Sequence, residues 1–344
     1  MSTIDFNNLS FAYRKTNTIL YTEFKRGKWS EIESRTDDYI SISAFAGSLH
    51  YGIQCFEGLK AFRGKDGEVR IFRPDENAKR LRRSAEYLGI EAPSEEMFIQ
   101  MCKRIVKENI DFLPPYGNNA SMYIRPILFG SNPQLGVKSS TECVFMMLCS
   151  PVGAYTGGAL EAIDVVIARD YDRAAPNGSG AYKVGGNYAC SLLSLNKAVK
   201  LGYKAVLYLD PTSRKFIDEY NSSNFFGIKG NSYITPLSDS ILPSITNKSL
   251  EVAARELGMT VERRPVPVEE LGSFEEVGEC GTAVVITPVH KIVDKPSLES
   301  DQETVYTYGN GLCGEKSLAL YKFITSIQYG EAPDKFGWTV KVEL

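Results

Sequence analysis

Residues 178–188 read GSGAYKVGGNY and set a single lysine, Lys183, among glycines, aromatic residues and small side chains directly before a predicted helix. Close packing in such a segment would desolvate the amine, and desolvation lowers the pKa of a lysine. A neutral amine is the form that makes an imine with an aldehyde. The competing interpretation is a solvated lysine on a flexible glycine loop, and the segment alone does not decide between the two.

The glycines around Lys183 do not form either of the common nucleotide-binding loops. The phosphate-binding loop of NTPases requires the pattern G-x-x-x-x-G-K-[ST], which does not occur in the chain. No dinucleotide-binding fingerprint follows the early predicted strands either. We therefore predict neither kind of nucleotide site.

Length and charge describe an ordinary globular protein. At 344 residues the chain is long enough for two domains with a cleft between them. With a net charge of −3, the protein lacks the broad positive potential that binding to nucleic acid or to an anionic membrane would require. The amino terminus has no signal-like pattern, and no run approaches the roughly 20 apolar residues of a membrane-spanning helix. We expect a cytoplasmic protein without nucleic-acid or membrane partners.

Cysteine and histidine are not arranged for metal binding. The seven cysteines lie far apart and include no C-x-x-C pair, which is typical of reduced, mostly buried thiols. Only two histidines occur, His50 and His290, so we expect no metal site. Any chemistry must use other side chains.

A Pro- and Gly-rich stretch near residue 150 divides the chain. Before it, periodicity and capping residues predict two helices, at 75–88 and 94–109, and three strands, at 68–73, 120–129 and 142–150. The stretch itself, 150–158 (SPVGAYTGG), is typical of a linker. We therefore predict a smaller domain over 1–150, a linker over 151–158 and a larger domain over 159–344.

The second half alternates short strands with helices. Strands are predicted at 163–168, 205–209, 216–220, 224–228 and 282–289, and helices near 188–201, 247–257 and 314–328. Tight turns at 210–213 (DPTS) and 229–231 (KGN) join neighbouring strands, which favours hairpins over helical crossovers. The sequence thus favours an α+β architecture over a doubly wound one.

Three segments of the second half carry polar groups suited to a cofactor, and each has an ordinary structural alternative. Asp218 and Glu219 end a strand, where a carboxylate can hold a heteroaromatic nitrogen protonated or simply face water. Thr246, as a predicted helix cap, directs backbone N–H groups to a spot that suits phosphate, although most such helix starts bind nothing. Residues 281–283 (GTA) offer a hydroxyl to an anion, or begin a buried strand.

The first half adds cations. The helix at 75–88 carries a basic run at 79–83, which is typical of a solvated face from which one member can turn inward. Tyr123 and Arg125 share one face of an apolar strand. A charge there implies a carboxylate partner, supplied either by a ligand or by a structural ion pair.

Taken in order, seven segments resemble the branched-chain aminotransferases among the fold-type IV pyridoxal-phosphate enzymes. They are 50–63 (HYGIQCFEGLKAFR), 123–126 (YIRP), 150–155 (SPVGAY), 183–188 (KVGGNY), 241–243 (ILP), 281–283 (GTA) and 327–330 (IQYG). Each segment is weak alone, but the ordered set is specific and covers nearly the whole chain. The resemblance implies the two-domain α+β fold of those enzymes, an active site between the domains, and a homodimer.

The resemblance also implies a bound pyridoxal 5′-phosphate. Lys183 would hold the cofactor as a Schiff base, Tyr188 would bind its phenolic oxygen, and Glu219 would pair with its pyridine nitrogen. The implied phosphate contacts are the Arg80 side chain, the backbone N–H groups of Ile245 and Thr246, and the Thr282 hydroxyl.

The implied reaction is reversible transfer of an amino group between leucine, isoleucine or valine and 2-oxoglutarate. The implied lining of the apolar substrate pocket is Tyr21, Tyr51, Phe56, Tyr123 and, from the linker, Tyr155. Arg125 would accept the second carboxylate of glutamate, and the α-carboxylate would meet Ser222, Thr282 and Ala283.

Two segments depart from the family. After GTA the chain reads AVVI at 283–286 rather than the C-x-x-C of vertebrate members, so we expect no thiol switch. The turn at 220–223 (YNSS) lacks the small-Gly-Thr-Met pattern of many relatives, so Ser222 is carried over by position only. D-amino-acid aminotransferases and aminodeoxychorismate lyases are the rivals within the fold, and 56–62 (FEGLKAF) and 123–126 favour the L-branched-chain group. The distant rival is a cofactor-free binding protein.

Overall fold

The computed structural model describes residues 4–153 and 160–344, which form two compact units. The first unit comprises Met1–Gly158, Tyr182–Gly185 and Ser326–Leu344, and the second comprises Ala159–Ala181 and Gly186–Thr325. The linker predicted at 151–158 lies largely outside the described residues. Two short segments, around Lys183 and at the carboxyl terminus, belong to the first unit although sequence alone assigned them to the second domain.

The elements follow one another along the chain as β1 (Ile19–Lys25), β2 (Lys28–Trp29), β3 (Glu33–Arg35), α1 (Gly47–Tyr51), β4 (Gln54–Phe56), β5 (Leu59–Arg63), β6 (Val69–Phe72), α2 (Pro74–Leu88), α3 (Glu95–Glu108), β7 (Ser121–Gly130), β8 (Cys143–Val152), β9 (Ile163–Ala168), α4 (Gly185–Cys190), α5 (Leu192–Lys200), β10 (Ala205–Leu209), β11 (Ile217–Tyr220), β12 (Asn224–Lys229), β13 (Ser232–Pro236), α6 (Ile245–Glu256), β14 (Thr260–Arg264), β15 (Glu276–Gly281), β16 (Val285–Lys295), β17 (Thr304–Thr307), α7 (Glu315–Gln328) and β18 (Thr339–Val342). Most of the predicted elements are present within a few residues of their expected bounds. The strand predicted at 282–289 is wrong at its start, because 282–284 form a turn between β15 and β16.

In the first unit, one sheet has the strand order β18-β6-β5-β7-β8-β1-β2, with β3 paired to β1 and β4 paired to β7. Alternate residues of each strand face opposite sides of the sheet. Ile124 of β7 and Met147 of β8 lie in a core with Leu81 of α2 and Met101 of α3. Residues of the opposite register, such as Arg125, therefore project from the other face.

In the second unit, the strand order is β11-β10-β9-β16-β15-β12-β13-β14, with β17 paired to β16. Because β11 also pairs with β12, the strands β9, β10, β11, β12, β15 and β16 close into a ring. Side chains such as Ile167 and Leu207 form the core on one side of these strands, and Val166 and Val206 pack with Ala198 of α5 on the other. The turns predicted at 210–213 and 229–231 do join β10 to β11 and β12 to β13.

Candidate active site

Lys183 lies in a segment that is held on both sides within the first unit. Its backbone N–H donates to the Ser84 hydroxyl of α2 at 3.0 Å, and its carbonyl accepts from the Phe56 N–H of β4 at 3.1 Å. The next residue, Val184, forms a bridge with Cys55. The side chain is half-buried, and its amine lies 4.9 Å from the centre of the Phe56 ring. The lysine is thus positioned by α2 and β4 rather than carried on a free loop.

Two glycines allow the close packing around Lys183. A Cβ atom at Gly58 would clash with the Tyr123 hydroxyl, and a Cβ atom at Gly185 would clash with the Gln54 amide. The side chains of Tyr123 and Gln54 occupy the space that a larger residue would need. A larger residue at either glycine would therefore require the end of the Tyr123 or Gln54 side chain to move.

Arg125 lies among aromatic rings on the face of the first sheet opposite α2 and α3. Its guanidinium carbon is 4.9 Å from the Phe56 ring centre and 5.2 Å from the Tyr123 ring centre, and Nη2 donates to the Tyr123 hydroxyl at 3.2 Å. Its buried Nε has no hydrogen-bond partner among the described residues. A buried cationic donor without a partner is costly, so this position suits an anionic ligand.

A cavity of about 270 Å³ in the first unit extends from Tyr123 and Arg125 toward the amino-terminal segment. Phe11 lines it and packs edge-on against Tyr123, with the ring centres 4.9 Å apart. Leu148 and Val152 supply further apolar walls. Sequence reasoning missed Phe11 because nothing local indicates that residues 11–18 fold against this sheet.

The other residues predicted for the pocket have varied positions. Tyr21 is buried in β1, where it donates to Glu23 and lies under the Arg35 guanidinium. Tyr51 is 40% exposed and its hydroxyl donates to the Leu135 carbonyl. Tyr155 lies outside the described residues. The first unit therefore brings together Lys183 and the predicted residues Phe56, Tyr123 and Arg125.

Arg80 is the member of the basic run that turns inward. Its side chain is 9% exposed, and its Nε and Nη2 donate to the two carboxylate oxygens of Glu57 at 2.7 and 2.8 Å. Glu57 is fully buried and also accepts from the Asn77 amide at 2.7 Å. By contrast, Lys79 is 53% exposed and pairs with Asp75 at the surface.

In the second unit, Glu219 is a buried carboxylate and not a surface acid. Its Oε1 accepts from the Leu242 N–H at 2.8 Å and pairs with Nη2 of Arg173 at 2.7 Å. Its Oε2 accepts from the Asn224 amide at 3.1 Å. Arg173 was not predicted, because it lies in a loop without periodicity. The neighbouring Asp218 accepts from Ser240 instead, and burial raises the pKa of Asp218.

The start of α6 corrects one prediction. The cap is Ser244, whose hydroxyl accepts from the Asn247 N–H at 3.1 Å, and not Thr246, which lies inside the first turn. Ser244 takes this role because its extended backbone directs the hydroxyl back at the helix. Ile245 and Thr246 still occupy the first turn, where backbone N–H groups lack helical partners.

The turn after β15 holds Thr282 and the exposed Ala283. Next to it, Val285 has a φ of 66°, and the Ile286 N–H donates to the Val284 carbonyl at 2.8 Å. This is a strained three-residue turn, which is unusual for a β-branched residue and is found more often at functional sites. Ser222 is exposed in the turn between β11 and β12, and Tyr188 is half-buried in α4.

Comparison with known proteins identifies the family of the chain. The sequence model of the family Amino-transferase class IV matches residues 54–292. The chain belongs to that family. This aminotransferase is 45% identical over 100% of both chains to a protein from Haemophilus influenzae named branched-chain-amino-acid aminotransferase.

Solved structures agree. The Escherichia coli branched-chain amino acid aminotransferase is 30% identical, with a TM-score of 0.77, 96% of this chain covered and 100% of that chain. The T.th. branched-chain amino acid aminotransferase with pyridoxamine 5′-phosphate is 26% identical, with a TM-score of 0.79, 96% of this chain covered and 99% of that one. These findings confirm the predicted family, the fold-type IV α+β fold and the transaminase activity. None of the helices in the described ranges is long and apolar enough to span a membrane.

Proposed function

We propose that this aminotransferase uses pyridoxal 5′-phosphate to move an amino group reversibly between leucine, isoleucine or valine and 2-oxoglutarate. The name of the Haemophilus influenzae relative and the pyridoxamine 5′-phosphate in the T.th. structure support this substrate class and this cofactor. In the chain itself, the proposal depends mainly on Lys183, a half-buried lysine whose backbone is held by hydrogen bonds to Ser84 and Phe56.

The described residues include side chains and backbone groups suited to each chemical group of pyridoxal 5′-phosphate. An aldehyde needs an amine, a pyridine nitrogen needs a carboxylate, and a phosphate needs an arginine and helix N–H groups. When bound, this cofactor supplies the electron sink that stabilises a carbanion at the α-carbon of an amino acid. The residues that we assign to the cofactor are Lys183, Tyr188, Glu219, Arg80, Ile245, Thr246 and Thr282.

Lys183 has two tasks in this assignment. When the cofactor is bound, the Lys183 amine would hold it, and once released the amine would act as the base that takes the proton from the substrate Cα. The ring of Phe56, 4.9 Å from the amine, limits access of water to it. The backbone hydrogen bonds to Ser84 and Phe56 fix the position of the lysine main chain.

Glu219 keeps a proton at the pyridine nitrogen. Its carboxylate is fixed by Arg173, Leu242 and Asn224, so it does not have to reorganise during the reaction. Fixed charge of this kind is the usual source of electrostatic catalysis.

Arg125 and its aromatic neighbours explain how one pocket accepts both an apolar and an acidic substrate. The rings of Phe56, Tyr123 and Phe11 offer apolar surface to a branched side chain, and burial contributes roughly 25 cal/mol per Å². The buried Nε of Arg125 offers a donor to the second carboxylate of glutamate or 2-oxoglutarate. The α-carboxylate contacts that we assign are Ser222, Thr282 and Ala283.

We further propose a cytoplasmic homodimer. An exposed apolar patch around α1, made of Phe45, Leu49, Tyr51, Leu135 and Val137, supports the dimer, because patches of this kind usually mark interfaces. All seven cysteines carry free thiols, which suits a reducing compartment.

The visible absorption spectrum tests the function. We expect purified enzyme to carry the yellow band of bound pyridoxal 5′-phosphate, to lose it when L-leucine is added without an acceptor, and to regain it with 2-oxoglutarate. Lys183→Ala should show neither the native band nor turnover, whereas Lys79→Ala at the exposed surface should behave as the wild type.

Other outcomes would change specific parts of the proposal. A yellow enzyme that responds only to D-amino acids would keep the cofactor and overturn the substrate class. A protein that stays colourless after incubation with pyridoxal 5′-phosphate would overturn the cofactor itself.

A further inference from the structure

The Glu57 carboxylate is fully enclosed in the first unit and is surrounded by donors. Arg80 donates twice, Asn77 donates at 2.7 Å, and the Gly58 N–H donates at 3.2 Å. Burial raises the pKa of the Cys102 thiol, and the negative charge of Glu57 raises it further. The Glu57 carboxylate therefore lies near the apolar core that contains Cys102.

Stability alone does not explain such a pair. Removing two charges from water costs nearly as much as their attraction returns, and apolar residues of the same volume often do as well or better. A buried ion pair is better explained when it fixes the orientation of one partner. Here the partner is an arginine that we assign to the cofactor phosphate.

The hydrogen bonds between Glu57 and Arg80 restrict how the guanidinium can point. A guanidinium is planar and carries five N–H donors. Glu57 uses one on Nε and one on Nη2, which fixes both the plane and the rotation of the group. The donors of Nη1 are consequently directed away from Glu57.

The same helix also positions the lysine. Ser84, one turn after Arg80 on α2, accepts from the Lys183 N–H and donates to the Arg80 carbonyl at 3.0 Å. Tyr87, a further turn along, stacks on Tyr182 with ring centres 4.1 Å apart. Arg80 and Lys183 are therefore held by one rigid face of α2.

We propose that Glu57 is a positioning residue for phosphate binding, which preorganises the Arg80 guanidinium so that little side-chain entropy is lost when the cofactor binds. This inference rests on the proposed function, because it requires pyridoxal 5′-phosphate as the cofactor. Glu57 touches neither cofactor nor substrate in this scheme and acts only through Arg80.

The test compares two ligands that differ only by the phosphate. Dissociation constants of pyridoxal and of pyridoxal 5′-phosphate are measured by absorbance titration of the full-length enzyme after removal of its cofactor. We call the dissociation constant of pyridoxal divided by that of pyridoxal 5′-phosphate the phosphate ratio. This ratio reports how much the phosphate contributes to binding. In Glu57→Gln, the amide places N–H donors against the arginine, and we expect the phosphate ratio to fall by about 10- to 100-fold, as when the carboxylate behind a metal ligand is removed.

A matched control and a double variant separate positioning from general damage. Glu68→Gln removes a partly exposed carboxylate from Arg70, an arginine that we do not assign to the cofactor, and should leave the phosphate ratio unchanged. Arg80→Met should lower the ratio by itself, and adding Glu57→Gln to it should lower the ratio no further. If Glu57→Gln does not fold, Glu57→Asp, which keeps the charge but shortens its reach, should lower the ratio in the same direction.

The outcomes are distinct. If Glu57→Gln weakens both ligands equally, or weakens neither, Glu57 does not act through the phosphate and the inference is overturned. If Glu57→Gln lowers the phosphate ratio equally in the wild-type enzyme and in Arg80→Met, Glu57 acts by a route other than Arg80, and the inference also fails. If the wild type binds neither ligand, the proposed function fails instead.

Discussion

Each unit buries an arginine–glutamate pair, and we assign opposite members of the two pairs to the cofactor. Arg80–Glu57 in the first unit and Arg173–Glu219 in the second both have closest N–O distances of 2.7 Å and side chains less than 10% exposed. In the first pair we assign the arginine to the cofactor, and in the second the glutamate. The other member of each pair is anchored by the surrounding protein. The comparison indicates that a buried charge can serve mainly to orient its partner.

The anchoring differs in kind. Glu57 accepts from Asn77 and the backbone of Gly58, whereas Arg173 donates to the carbonyls of Gly180 and Ser240. Loss of Arg173 therefore leaves a buried carboxylate and two backbone acceptors with fewer donors. Both glutamates keep two other donors, Asn77 and Gly58 for Glu57 and Leu242 and Asn224 for Glu219, so the difference lies in the two backbone carbonyls that lose a donor with Arg173.

The largest effect should be on stability. We expect Arg173→Met to lower the free energy of unfolding of the cofactor-free enzyme by about 3–5 kcal/mol, because it strands a buried charge. Arg80→Met should cost less, because each glutamate keeps two donors but only the loss of Arg173 also deprives two backbone carbonyls, those of Gly180 and Ser240, of a donor. Urea unfolding of both variants measures the difference. An equal or larger loss in Arg80→Met would mean that the anchoring of the two pairs does not differ as described.

The second prediction separates the two pairs by function. Glu219→Gln should lower the rate of the leucine half-reaction by about 10²–10³-fold, the usual loss when one preorganised electrostatic partner is removed. Its phosphate ratio should stay near that of the wild type, since Glu219 does not act on the phosphate. Single-turnover absorbance and the ligand titration give the two values. A reduced phosphate ratio in Glu219→Gln would erase the distinction between the pairs.

From the sequence we assigned one member of each pair to the cofactor, Arg80 through the resemblance and Glu219 through its strand end and the resemblance, and both assignments stay predictions. The sequence did not single out their partners, Glu57 and Arg173. Glu57 was visible inside FEGLK and Arg173 inside a loop, but neither had a local signal, because each role depends on a partner distant in sequence.

The fold shows the same division. Helices α2 and α3 and most strands follow from periodicity and capping, which are local properties. The pairing of β18 with β6 and the closure of the ring between β11 and β12 depend on contacts between distant segments. The cap of α6 was misplaced by two residues, since Ser244 and Thr246 are equally good caps by type and only the backbone conformation distinguishes them.

Lys60 is a cation that, unlike Arg80 and Arg173, can lose its charge. It lies on β5 opposite Tyr123, its amine is surrounded by protein although the side chain keeps some exposed surface, and burial lowers its pKa to about 8. A guanidinium cannot lose its proton in a protein and stays charged when it is buried. A lysine whose folded pKa is below its unfolded value destabilises the fold fully below about pH 8, and this penalty disappears as the pH rises toward 10.5.

The smallest expected effect follows from this shift. At pH 7, Lys60→Met should raise the free energy of unfolding of the cofactor-free enzyme by about 1–3 kcal/mol, because it removes the cost of burying a charged amine. The gain should shrink between pH 8 and 10.5, where the wild-type lysine becomes neutral in both states. Lys65→Met, on the exposed turn between β5 and β6, serves as the control and should show neither change. Denaturant unfolding across this pH range measures both, and a gain that is independent of pH would mean that Lys60 remains charged in the folded protein and that packing alone accounts for the change.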